Sequence, residues 1–185
     1  DTIRIVTSAR FVRLKRLPET LEILGEAADL IPDRKIEWTI FGDGEELPRF
    51  KNQLETSQRP NLRVNIAGMT DNTEIQRQLA SGEIHWFLLL SSTEGIPVSL
   101  GEAMSYGIPS IVTDVGQVTE LATPQTSVII EPELKERSRI AAKIAKALPD
   151  LELRSRLGRQ SLRTWEMSFN ADTRARHLAN IIAGG

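Results

Sequence analysis

The 185-residue sequence contains no cysteine. That excludes a disulfide framework and every cysteine-based nucleophile or metal site. Its two histidines stand apart, His85 beside Trp86 in an apolar strand pattern and His177 near the C-terminus, far from the site motifs. Neither has acidic companions at ligand spacing, so no metal centre is expected. No apolar run approaches the roughly 20 residues that cross a bilayer. Asp1 leads straight into a strand pattern, so no signal peptide is expected and the expected location is cytoplasmic. A net charge of −2 gives no global reason to expect nucleic acid. Internal repeats, low-complexity tracts and linkers are absent as well. What remains is 40% apolar and 26% charged, the balance of one globular domain, residues 1–185, with a real core.

Short apolar runs alternate with helix-period segments. Strands are expected at Ile3–Thr7, Ile36–Phe41, Leu62–Ala67, Ile84–Leu90, Ile111–Thr113 and Ser127–Ile130. Helical spacing relates Leu17, Leu21, Leu24, Ala28 and Ile31, then Leu47, Phe50 and Leu54, then Glu74 to Ala80. Pro97 to Tyr106 reads as a helix with Pro97 in its first turn and Gly107 just past its end. Three more helical patterns follow, at about Glu133–Leu148, Leu151–Thr164 and Ala171–Ile182. Alternation of this kind implies an α/β fold, a doubly wound, mostly parallel sheet of about six strands with flanking helices. Such sheets bind ligands beyond the carboxyl ends of their strands. Four segments should therefore meet at one edge: Arg10–Arg16, Gly42–Gly44, Gly68–Asp71 and Ser91–Ser99.

The first segment carries Arg10, Arg13, Lys15 and Arg16. A run of cations is ordinarily a solvated face; at a binding edge it can also clamp phosphate, Arg10 as a bidentate fork and Lys15 as a point charge. The last segment runs into a helix start, whose free N–H groups and dipole favour an anion, while Gly95 allows close approach to the backbone. Glu94 sits awkwardly beside a bare phosphate but suits a ligand that also offers hydroxyls. Glu102, on the same helix, can accept from a second set of hydroxyls. Either glutamate alone is an ordinary helix charge; together with a phosphate site they describe a nucleoside-diphosphate sugar.

The run Glu94-Gly95-Ile96-Pro97-Val98-Ser99-Leu100-Gly101-Glu102 resembles the E-x7-E signature of retaining glycosyltransferases, especially glycosyltransferase family 4. Ala103 to Gly116 is similar to that family's EA(M)xxGxPvVatdvGG segment. Ala9-Arg10 through Lys15 resembles its GR…K(G) element, Phe41-Gly42-Asp43-Gly44 its vGdG turn, and Ala67-Gly68-Met69 its f-x-G strand end. Departures are Ala9 and Arg16 where the family has glycine, and Gln117 in place of the second glycine of Val-Gly-Gly. Ala9 is expected to narrow the room near the diphosphate, and Gln117 to alter the loop near the sugar.

The resemblance implies the C-terminal, donor-binding half of a GT-B fold, two Rossmann-like domains facing across a cleft. It implies Glu94, Arg10 and Lys15 as the catalytic residues, with Glu94 on sugar hydroxyls and the two cations on the diphosphate. Glu102 would take the ribose, Gly95, Ile96, Pro97, Val98 and Ser99 would cradle the donor, and Gly68 and Met69 would meet the base. The implied donor is a UDP- or GDP-sugar, with no further cofactor, no metal requirement and retention of configuration. Residues 165–185 are expected to form the C-terminal helix that packs toward an N-terminal partner domain. That domain would bring the acceptor, so the isolated chain is expected to bind donor with little turnover. Polysaccharide or glycoconjugate synthesis is the implied setting, with peripheral membrane contact, for which the basic helix residues Arg137, Arg139, Lys143 and Lys146 are the candidates. The alternatives are a GT-B sugar-nucleotide epimerase and a non-catalytic nucleotide-sugar-binding or interaction module.

Overall fold

Alternate residues of the central strands feed two different cores, which is why stretches such as Trp86–Leu89 read as continuous apolar runs. Ile3, Ile5, Trp38, Trp86, Leu88, Ile111 and Val128 point to one face of the sheet, while Val6, Phe41, Phe87, Leu89 and Val112 point to the other. The computed structural model describes residues 2–168. Its strands are β1 (Thr2–Ser8), β2 (Lys35–Phe41), β3 (Leu62–Gly68), β4 (Trp86–Leu89), β5 (Ser110–Thr113) and β6 (Ser127–Ile130). Its helices are α1 (Leu17–Leu30), α2 (Leu47–Thr56), α3 (Asn72–Ala80), α4 (Val98–Ser105), α5 (Arg137–Ala147) and α6 (Leu151–Ser168).

The strands form one six-stranded sheet in the order β3-β2-β1-β4-β5-β6, and every pairing is parallel. Helices α1 and α5 cover the first core, with Leu21, Leu24, Ile140 and Ile144 buried in it. Helices α3 and α4 cover the second through Ile75, Leu79, Leu100 and Met104. Helix α6 joins both, placing Leu157 in the first and Trp165 against the second. It lies tight on the end of α4: a Cβ on Gly158 would sit 2.3 Å from the Gly107 carbonyl oxygen.

The differences from the expected elements have local causes. β4 starts at Trp86, not Ile84, because the Arg4 N–H donates to the His85 ring at Nδ1, 3.0 Å away, instead of to a strand carbonyl. His85 is therefore structural; burial first, then Arg154 and Arg4, hold its pKa below the usual value. Helix α5 starts at Arg137 rather than Glu133, since Leu134 takes a left-handed φ of 49° that a helix does not tolerate. Helix α6 runs through Ser168, four residues beyond the expected Leu151–Thr164; the rest of the segment expected at 165–185 lies outside the described residues. The expected Ala171–Ile182 helix and His177 lie outside the described residues.

The basic face of α5 is largely spent within the protein. Arg137 pairs with Glu22 of α1, Arg139 with Glu136 and Glu131, and Lys143 donates to the Ile129 carbonyl at 2.7 Å. The last contact caps the free edge of β6, a common device against strand addition.

Candidate functional site

The chain runs outward from β1 through β2 to β3, then returns to place β4 on the other side of β1. The strand order thus reverses between β1 and β4, and the carboxyl edge at such a reversal is the usual ligand position in these sheets. The loop after β1 and the loop after β4 are tied together there: the Leu14 carbonyl accepts from the Ser92 N–H at 2.8 Å and from its hydroxyl at 3.2 Å.

The turn after β2 buttresses the first of these loops. Ala9 N–H donates to the Phe41 carbonyl and Phe11 N–H to the Asp43 carbonyl, both at 2.9 Å. Gly42 has φ 140° and a Cβ there would lie 2.0 Å from the Ala9 oxygen; at Gly44 it would lie 2.5 Å from the Phe11 oxygen. Only glycine lets these backbones touch. The methyl of Ala9 packs against the second core.

The four cations of the β1–α1 loop have three fates. Arg10 and Arg13 are exposed. Arg16 takes the left-handed conformation, φ 50°, at the position where the resembling family has glycine, and its guanidinium reaches the Pro132 carbonyl at 2.5 Å. Lys15 turns inward to Glu94, Nζ to Oε1 2.5 Å, the two side chains being 23% and 8% exposed.

Glu94 is held from three sides. Its Oε1 also accepts the Ser91 hydroxyl at 2.6 Å, and its carbonyl accepts the Gln117 N–H at 3.4 Å. Behind it stands Gly116, φ 53°, where a Cβ would lie 2.0 Å from the Glu94 carbonyl oxygen. Among the described residues Oε2 has no hydrogen-bond partner. The Gln117 side chain bonds Glu120 at 3.0 Å and lies across Gly95, with Oε1 4.0 Å from where a Cβ would stand.

Helix α4 begins at Val98, with Pro97 extended before it (φ −74°, ψ 110°) and no side chain capping it. The Leu100 and Gly101 N–H groups turn back to the Pro97 carbonyl at 3.1 and 3.3 Å. Those of Val98 and Ser99 have no partner among the described residues, so the positive end of α4 is left uncapped a few residues after Glu94. Gly95 is exposed, and its would-be Cβ meets only the Gln117 amide.

The remaining expected residues border this centre without touching it. Glu102 is partly exposed and stands four positions into α4, about 6 Å along the axis from Val98. Gly68 and Met69 end β3, two strands and roughly 10 Å from β1. Gly68 is left-handed (φ 71°) with open space where a side chain would be. Met69, Val98 and Ile96 are 81%, 75% and 45% exposed, so apolar surface rims the edge. Ser91 and Gly116 were not singled out from the sequence. Ser91 opens the Ser91–Ser99 segment and Gly116 closes the Ala103–Gly116 segment, but nothing in either pattern says that its residue meets Glu94.

Fold and site together define a Rossmann-like domain of the kind that forms the C-terminal half of GT-B proteins. The family model of glycosyl transferases group 1 matches residues 1–164, and the chain belongs to that family. It is 28% identical over 169 residues to a phosphatidylinositol N-acetylglucosaminyltransferase component of Arabidopsis thaliana, covering 90% of this chain and 36% of that protein. It is 30% identical over 139 residues to the amylovoran biosynthesis glycosyltransferase AmsK of Erwinia amylovora, covering 71% of this chain and 32% of that protein. The chain thus spans about a third of the length of these relatives. The crystal structure of the pneumococcal O-GlcNAc transferase GtfA in complex with UDP and GlcNAc superposes with a TM-score of 0.77 at 19% identity, covering 98% of this chain and 35% of that one.

Proposed function

We propose that this chain is the donor-binding domain of a retaining glycosyltransferase, and that its ligand is a nucleoside-diphosphate sugar. The carrying observation is the contact of Lys15 with Glu94 between the loops that follow β1 and β4, a few residues before the uncapped start of α4. A cation, free N–H groups and a carboxylate with one unoccupied oxygen match a diphosphate followed by a sugar.

Lys15 need not release Glu94 to act. An ammonium has three donors, so one can stay on Oε1 while the others meet phosphate oxygens, with exposed Arg10 closing from outside. The Val98 and Ser99 N–H groups add the helix dipole. Such preorganised charge lowers the barrier as the sugar–oxygen bond breaks and the nucleoside diphosphate departs. Glu94 Oε2 would accept sugar hydroxyls and Glu102 the ribose, while the shelf at Gly68 and Met69 would receive the base. Cations and helix N–H groups take the place a divalent metal holds elsewhere, so donor binding should need none. The N-acetylglucosaminyltransferase name of one relative and the UDP and GlcNAc in a structural neighbour favour UDP-GlcNAc as the first donor to try. In a protein of the relatives' length, a second domain would bring a glycan or lipid acceptor across the cleft, and this chain alone would turn over little.

Calorimetry with UDP, GDP and ADP tests this reading. Micromolar binding of one nucleotide, abolished by Arg10→Ala with Lys15→Ala and unaffected by chelator, is the expected result. Binding of none of the three would instead make the chain an interaction module.

A further inference from the structure

Ser91 lies just beyond the buried run of β4 and is itself fully buried. A serine hydroxyl carries one hydrogen, and here it is given to Glu94 Oε1 at 2.6 Å. The Ser91 carbonyl in turn accepts the hydroxyl of Thr113, the last residue of β5, at 2.6 Å. Thr113 is 1% exposed, so both hydroxyls have fixed surroundings. A chain of two hydrogen bonds therefore runs from the end of β5 through the end of β4 to the carboxylate. Lys15 holds the same oxygen from the solvent side, which leaves Oε2 as the free acceptor.

We infer that Ser91 is a positioning residue for sugar recognition: it fixes the rotamer of Glu94 so that Oε2 faces the donor sugar before any ligand arrives. Resting on the donor-site reading above, the inference adds how the carboxylate is aimed. A glutamate side chain gives up rotamer freedom when it is ordered. Lys15 alone, on a flexible stem in a loop, orders it less well than a buried hydroxyl attached to the sheet. The diphosphate would lie with Lys15, Arg10 and the start of α4, to none of which Ser91 hydrogen-bonds directly among the described residues. Loss of its hydroxyl should thus weaken the hold on the sugar and spare the hold on the nucleotide.

Affinities of UDP and UDP-GlcNAc, and of GDP and GDP-mannose, measured on the 185-residue chain separate these effects. Glu94→Gln should lower the sugar-nucleotide affinity relative to the matching nucleotide; if it leaves that ratio unchanged, the assignment of Glu94 fails and the inference with it. Given that control, Ser91→Ala should lower the same ratio about tenfold, the effect of one hydrogen bond to a charged group, with nucleotide affinity within about twofold of the parent. Ser91→Cys, nearly the same shape with a weak donor, should fall between, and serves if the alanine variant does not fold. A ratio unchanged in both variants, or an equal loss for nucleotide and sugar nucleotide, overturns the positioning role.

Discussion

Lys15 Nζ lies 2.5 Å from Glu94 Oε1, joining the loops after β1 and β4 across 79 residues of sequence. With Glu94 only 8% exposed, the pair belongs to the structure as well as to the proposed chemistry. Lys15→Met should leave a carboxylate largely buried without its cation and cost about 1–3 kcal/mol. Combining it with Glu94→Gln should recover part of that loss. Urea denaturation of the four proteins in the cycle reads the coupling, expected at roughly 1 kcal/mol.

Two glycines beside Glu94 should respond in opposite ways. Gly116→Ala would put a methyl 2.0 Å from the Glu94 carbonyl oxygen at a left-handed φ. It should destabilise the chain by about 1–3 kcal/mol and displace the carboxylate. Gly95→Ala meets nothing closer than 4.0 Å, so its melting temperature should stay near that of the parent while nucleotide-sugar binding falls. Thermal melts paired with calorimetry distinguish the two; equal melts would remove the asymmetry.

Arg16 combines an unfavourable backbone with a favourable contact. Its φ of 50° penalises any residue with a Cβ, and its guanidinium offsets this by bonding the Pro132 carbonyl. Arg16→Ala keeps the penalty and loses the bond, whereas Arg16→Gly loses both. Glycine should therefore exceed alanine at this site by about 1 kcal/mol, measured by chemical denaturation.

His85 gives the fold a pH dependence. Burial, with Arg154 and Arg4 nearby, lowers its folded pKa, and its Nδ1 must stay unprotonated to accept from the Arg4 N–H. The unfolded chain takes up a proton near pH 6.5 before the folded one does. Stability should thus be full above that pH and decline as pH falls through the depressed folded value. His85→Asn should flatten the dependence of melting temperature on pH between about 7.5 and 5. A slope identical to that of the parent would assign the effect to other groups.

The order of elements was legible because parallel strands buried on both faces, as Trp86 to Leu89 are, must be continuously apolar. The edge at which such sheets bind ligands followed from strand alternation alone, and Glu94, Lys15 and the start of α4 all lie on it. The ends of elements were harder to read. Leu134 delays α5 by a single left-handed residue, and the His85 ring shortens β4 by accepting one backbone hydrogen bond. Neither is a property of the local pattern. The cation run was also ambiguous, since nothing in Arg10-Phe11-Val12-Arg13-Leu14-Lys15-Arg16 says that Lys15 turns inward while Arg10 and Arg13 face solvent.

The sequence by itself determined the doubly wound sheet and the family. Hydrophobic period, turn residues and motif spacing are local quantities, and their order along the chain is enough for both. Only the tertiary structure decided what surrounds Glu94. Lys15, Ser91 and the pair Thr113 and Gly116 come from three places in the chain and meet because β1, β4 and β5 are neighbours in the sheet. Which oxygen of Glu94 stays free depends on hydrogen-bond geometry within about 3 Å, and that distance exists only once the strands have paired.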